Sequence, residues 1–156
     1  SKYNFLIMSV NFVSGDIFLN EYRVDAFAHG CNCDGKMGAG IALQFKKKYP
    51  DMYQLYHWMC ENKTFKPGDV MPWFGSSPYV LNLATQEHPG ACAKLEYIRT
   101  SLAFVDKFSQ AWNIKKLAMP RIGAGLGGLD WPSVKSVILS CFSRSPLEVV
   151  VYEQFK

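Results

Sequence analysis

Two glycine-rich turns hold the residues of this chain best suited to chemistry. The longer, Pro120-Arg121-Ile122-Gly123-Ala124-Gly125-Leu126-Gly127-Gly128-Leu129-Asp130-Trp131, follows the apolar run 116–119 and precedes a helical pattern over 134–139. A strand that feeds such a turn into a helix gathers bare backbone N–H groups and the positive end of a helix dipole at one point. That is an anion-binding device, and phosphate is its usual ligand. A second turn, Gly35-Lys36-Met37-Gly38-Ala39-Gly40, lies between a strand-like stretch over 24–28 and a helix-like one over 41–49. One glycine turn alone is a weak signal, whereas two on neighbouring strand ends can close on two linked phosphates. The pair predicts a diphosphate ligand.

These turns need elements to hold them, and periodicity supplies the candidates. Strands are expected near 11–13 and 24–28, then a helix over 41–49 and a second, started by Pro50, to about residue 60. Strands follow at 70–73 and 79–83, separated by Gly75-Ser76-Ser77-Pro78. A helix from about 93 to 112, a strand at 116–119, a helix from about 132 to 142 and a strand at 148–152 complete the chain. Asp130-Trp131-Pro132 reads as a helix N-cap with proline in the first turn, not as a catalytic acid. Strands alternating with helices imply an α/β fold: a three-layer α/β/α sandwich around a mixed, mostly parallel sheet. Ligands of such folds bind at the carboxyl ends of strands, where both turns lie.

The bulk properties suit one such domain. At 156 residues and 49% hydrophobic content, the chain can bury a core without disulfides, and residues 1–156 read as a single domain. Residues 1–7 are either an extra edge strand or an addition ahead of the domain, because Met8 to Val13 already makes a natural strand start. The sequence shows no apolar run of membrane-spanning length and no signal-peptide pattern, so a cytoplasmic protein without membrane partners is expected. A monomer is the simplest expectation. The odd count of five cysteines fits a reducing compartment, and Cys31-x-Cys33 has the wrong spacing for a zinc knuckle, so no metal is expected. Net charge is +4, and the one dense basic run, Lys46-Lys47-Lys48, reads as a solvated helix face.

Three motifs together resemble the macrodomain family. They are Val13-Ser14-Gly15-Asp16-Ile17, the string His29-Gly30-Cys31-Asn32-Cys33-Asp34-Gly35 running into Met37-Gly38-Ala39-Gly40-Ile41-Ala42, and the turn 120–131. The resemblance extends from about residue 10 to the end of the chain. It is strongest to the branch of ADP-ribose 1''-phosphate phosphatases, terminal ADP-ribose protein glycohydrolases and antitoxins that remove ADP-ribose from DNA. It implies an ADP-ribose pocket in which Asp16 selects the adenine amino group, helped by the Ile17 backbone. An ionised carboxylate only accepts hydrogen bonds, so it suits a two-donor amine. Asn32 is implied to hold the distal ribose, where an amide donates and accepts at once. Gly38, Ala39, Gly40 and Ile41 are implied to line one side of the diphosphate and Gly123, Ala124, Gly125 and Leu126 the other.

The chain also departs from that branch. The glycohydrolases and DNA-acting antitoxins carry a catalytic lysine where this chain has Gln86, and the glycohydrolase carries an aspartate where it has Gly127. A glutamine neither forms a Schiff base nor titrates. The phosphatase-type relatives instead carry a His-x-Cys-Asn-Cys string, which His29 to Cys33 matches. His29 is then the candidate acid or base, with Asp34 or His88 assisting a water. The expectation is an ADP-ribose-binding hydrolase acting on the distal ribose, foremost on ADP-ribose 1''-phosphate, without a cofactor. The alternatives are a non-catalytic reader of ADP-ribosylated protein or nucleic acid, and a lysine-independent ADP-ribosyl hydrolase or O-acyl-ADP-ribose deacylase.

Overall fold

The computed structural model describes residues 9–154, so the expectation for residues 1–7 lies outside the described residues. Strands β1 (Val10–Ser14), β2 (Ala26–Cys31), β3 (Val70–Trp73), β4 (Tyr79–Ala84), β5 (Lys116–Met119) and β6 (Glu148–Gln154) form one sheet. Its order is β1-β6-β5-β2-β4-β3, and every neighbouring pair is parallel except β3 with β4. Side chains alternate across a strand, and here the alternation divides the core in two. Ala26, Ala28, Leu81, Leu83, Val149 and Val151 face one cluster, and Phe27, Cys31, Val80, Ala84, Val150 and Tyr152 face the other.

Four helices cover the two faces. Helices α1 (Gly40–Lys48) and α2 (Pro50–Glu61) bring Phe45, Met52, Tyr56 and Cys60 to one cluster. Helices α3 (Leu95–Phe108) and α4 (Trp131–Phe142) bring Ile98, Leu102, Val105, Val134, Ile138 and Phe142 to the other. This is the expected α/β/α sandwich. Local chemistry explains the helix starts. Pro50 opens α2, and the Asp130 carboxylate accepts from Ser133 N at 3.0 Å as the cap of α4. Lys46 and Lys48 lie over the rings of Tyr53 and Phe18 at 4.3 and 5.0 Å, as a basic helix face does when its stems lie along aromatic surface. No described helix is long and apolar enough to cross a membrane.

Two boundaries differ from expectation. Helix α3 ends at Phe108 instead of near 112, because the chain then turns through Gln110 to Asn113, where Asn113 takes a left-handed φ of 57°. Strand β2 continues to Cys31 instead of stopping at 28, pairing residue by residue with β4. The longer β2 decides the fate of His29.

Candidate functional site

Three neighbouring strands, β5, β2 and β4, end at Met119, Cys31 and Ala84, and the loops that follow them enclose a cavity of about 760 Å³. That volume falls in the range of sites for small organic ligands. The three strands are parallel neighbours with β2 between β5 and β4, so their carboxyl ends meet at one edge, where open α/β sheets form their binding crevice. The β4–α3 loop ties the other two together. Glu87 O accepts from Cys33 N at 2.9 Å, and Ala93 N donates to Gly127 O at 3.2 Å.

The glycines of the two turns divide into two kinds. A Cβ at Gly38 or at Gly125 would meet no protein atom within 4 Å, and both residues line the cavity. The protein itself therefore has room for a side chain there, and only a ligand would lose space. At Gly123, by contrast, φ is +71° and a Cβ would fall 2.6 Å from Ile98 Cδ1, so that glycine serves the fold. Gly40, with φ +58°, lies under Leu126, whose side chain spans from the second turn to the first. Asn32, Ala39, Ile41 and Leu126 join these residues in the cavity wall.

Asn32 organises the first turn. Its Nδ2 donates to Lys36 O at 2.7 Å, and its Oδ1 accepts from Asp34 N at 3.0 Å and Lys36 N at 3.3 Å. The Tyr56 hydroxyl on α2 lies 2.9 Å from both Asn32 O and Asn32 Oδ1 and shares its one proton between them. Gly35 O accepts from Tyr53 OH at 2.8 Å and from His57 Nδ1 at 3.0 Å, so α2 braces the turn from behind. One Asn32 amide hydrogen is committed to Lys36, and the second carries no partner among the described residues.

Gln86 is also committed. Its Nε2 donates to His88 O at 2.7 Å and to Gly90 O at 2.8 Å, which closes the loop after β4. A Cβ at Gly127 would lie 2.7 Å from Gly123 O and 3.0 Å from Gln86 Oε1. The two positions at which the glycohydrolases carry lysine and aspartate are thus filled here by a tied amide and a closely packed glycine. The Asp34 carboxylate faces His88 Nδ1 at 2.9 Å, and this contact holds the His88 imidazole above its ordinary value of 6.5. Neither residue lines the cavity; the pair bridges two loops beside it.

His29 is corrected by the structure. Because β2 runs on to Cys31, the His29 side chain enters the core beneath α1, wholly buried. It stacks on Phe45 with ring centroids 4.0 Å apart, and its Nε2 lies 2.7 Å from Asn82 Oδ1. Burial lowers its pKa to about 4, so it stays neutral and away from the cavity wall. Cys31, alongside it, lines the cavity as a thiol that burial pushes well above its ordinary range. Asp16 is exposed and caps a short 3-10 turn over Ile17–Leu19, its Oδ1 accepting from Phe18 N at 2.9 Å. Ile17 is buried in one core cluster and Ala124 packs against the other; neither they nor Asp16 are in the cavity wall.

The comparisons with known proteins follow this geometry. The Macro domain family model matches residues 28–138. The chain belongs to the Macro domain family. A DNA ADP-ribosyl glycohydrolase of Thermus aquaticus is 34% identical over 149 residues, covering 92% of this chain and 41% of its own length. The chain thus spans about two-fifths of that relative. The human ADP-ribose glycohydrolase OARD1 is 31% identical over 143 residues, covering 92% of this chain and 90% of its own. The solved macrodomain of Thermus aquaticus DarG is similar with a TM-score of 0.82 at 35% identity, over 92% of this chain and 97% of that one.

The cavity of this macrodomain also contains residues that motif reading passed over, among them Lys36, Thr85 and Arg121. Each sits inside or beside a motif already singled out. Lys36 lay in plain view between Gly35 and Met37, where a charged side chain at the edge of a phosphate turn was signal enough.

Proposed function

We propose that this macrodomain binds ADP-ribose in the cavity and hydrolyses a substituent from its distal ribose. The phosphate of ADP-ribose 1''-phosphate is the substituent its residues fit best. Gly38 and Gly125 carry this reading: both lie in the cavity wall with open space where a Cβ would be, so no side chain at either position stands between the turn backbone and a diphosphate. On this reading the adenine end of the ligand extends past the cavity wall to Asp16, which takes its amino group with its unused oxygen, assisted by the Ile17 backbone, and Asn32 holds the distal ribose with its unused amide hydrogen.

The side chains of the wall favour an anionic leaving group. Its titratable members are Cys31, Lys36 and Arg121, with neither a carboxylate nor an imidazole among them. With neither a carboxylic acid nor an imidazolium in the wall to protonate a departing nitrogen, phosphate, which departs as a stable anion, is the better-matched leaving group. Water adds, the bond between phosphate and the distal ribose breaks, and ADP-ribose and inorganic phosphate are released. Names of relatives that include ADP-ribosyl glycohydrolases support action on ADP-ribose derivatives. A second reading, a reader that binds without turnover, is favoured by the two committed donors of Gln86 at the position of the glycohydrolase lysine.

Phosphorus NMR of ADP-ribose 1''-phosphate incubated with the protein separates the two. Hydrolysis predicts loss of the monoester signal, growth of inorganic phosphate and a turnover slowed about 10²-fold in Asn32→Ala. Broadened diphosphate signals with an intact monoester would instead establish the reader.

A further inference from the structure

We infer that Lys36 selects the substrate of this site by pairing its ammonium with a negatively charged phosphate ester on the distal ribose. The inference rests on the ADP-ribose reading above and assigns a residue to its specificity.

Lys36 and Arg121 are the two permanent cations in the cavity wall, and they stand on different turns. Arg121 is engaged, its guanidinium 5.5 Å from the centre of the Trp131 ring. Lys36 is held by its backbone alone. The Asn32 amide grips both its N–H, at 3.3 Å, and its C=O, at 2.7 Å. The stem of Lys36 therefore leaves a fixed point beside the residue that holds the distal ribose. Among the described residues the ion pairs engage other groups, and Asp34, two positions upstream, faces His88 instead.

On the ADP-ribose reading the two glycine turns take the diphosphate, which leaves the ammonium of the exposed Lys36 available to a further negative charge at the Asn32 end. A neutral or base-linked substituent would leave that charge without a counterion. A phosphate ester at C1'' provides one, and because Lys36 is exposed the pair is screened by solvent and salt. The same ester oxygens are presented by a free monoester and by an ADP-ribosylated phosphate at the end of a nucleic-acid strand.

Calorimetric titration of the native protein, Lys36→Met and Lys36→Arg tests this with three ligands that are not turned over: ADP-ribose, a non-hydrolysable phosphonate analogue of ADP-ribose 1''-phosphate, and an oligonucleotide whose terminal phosphonate carries ADP-ribose. The native protein is expected to bind a phosphate-bearing ligand up to about fivefold more tightly than ADP-ribose, the scale of one solvent-exposed ion pair. Added salt should shrink that preference. Lys36→Met should abolish it and Lys36→Arg should keep most of it. The larger gain identifies the source: the monoester analogue marks a free nucleotide, the oligonucleotide a strand end. Equal native affinity for all three ligands, or an equal loss for all three in Lys36→Met, overturns the role of Lys36 while leaving the ADP-ribose reading standing. Absence of ADP-ribose binding in the native protein overturns both.

Discussion

At the scale of the residue, Asn32 and His29 show how far a motif reaches into structure. Both belong to one matched string, yet they face opposite environments. Asn32 follows the last residue of β2 and spends its amide on the turn, whereas His29 lies within β2 and spends its imidazole on Asn82 and Phe45. The burial of His29 has a consequence for stability that can be signed. Its folded pKa, about 4, lies below the ordinary value of 6.5, so the unfolded chain takes up a proton that the folded one refuses. Stability is full above pH 6.5 and is lost as pH falls toward 4, by about 3 kcal/mol from this group. Denaturant melts at pH 7 and pH 4 are expected to show that loss in the native protein and little of it in His29→Gln; equal losses in both would remove His29 as the cause. The position of Asn32 was legible because a glycine turn must begin where a strand ends. The environment of His29 was not, since one string of residues does not reveal whether its strand stops at residue 28 or 31.

At the scale of the element, each turn joins a strand end to a helix start, and the glycines within it answer to two different demands. Gly123 has a left-handed φ and a neighbour at 2.6 Å from its absent Cβ, so Gly123→Ala is expected to destabilise the fold by about 1–3 kcal/mol. Gly125 has open space, so Gly125→Ala should melt within about 0.5 kcal/mol of the native protein while weakening ADP-ribose binding at least tenfold. Thermal melts and ligand titration on the two variants check this contrast. A Gly125→Ala protein that binds normally would detach the second turn from the ligand. That the turns border a cavity at the strand ends was legible from glycine density between a strand and a helix. Which glycines face the ligand was not, because this depends on Ile98 of α3 and on Leu126 crossing to Gly40.

At the scale of the whole molecule, the alternation of short apolar strands with amphipathic helices is enough to place the cavity at the carboxyl edge of the sheet. Parallel neighbours require crossovers, crossovers put helices on both faces, and adjacent carboxyl ends then meet at one edge. The sheet order that sets β5, β2 and β4 side by side was beyond such reasoning, since it depends on how two separate clusters fill. The same layout explains why the wall is mostly backbone and small side chains. It is made from the ends of buried strands and the turns that leave them, with charge contributed at its margins by Lys36 and Arg121. We propose that this edge is an ADP-ribose site built from both glycine turns. Isothermal titration of ADP-ribose into the native protein tests it most directly. One-to-one binding that competes with the phosphate-bearing ligands is the predicted result, and the absence of saturable binding would contradict it.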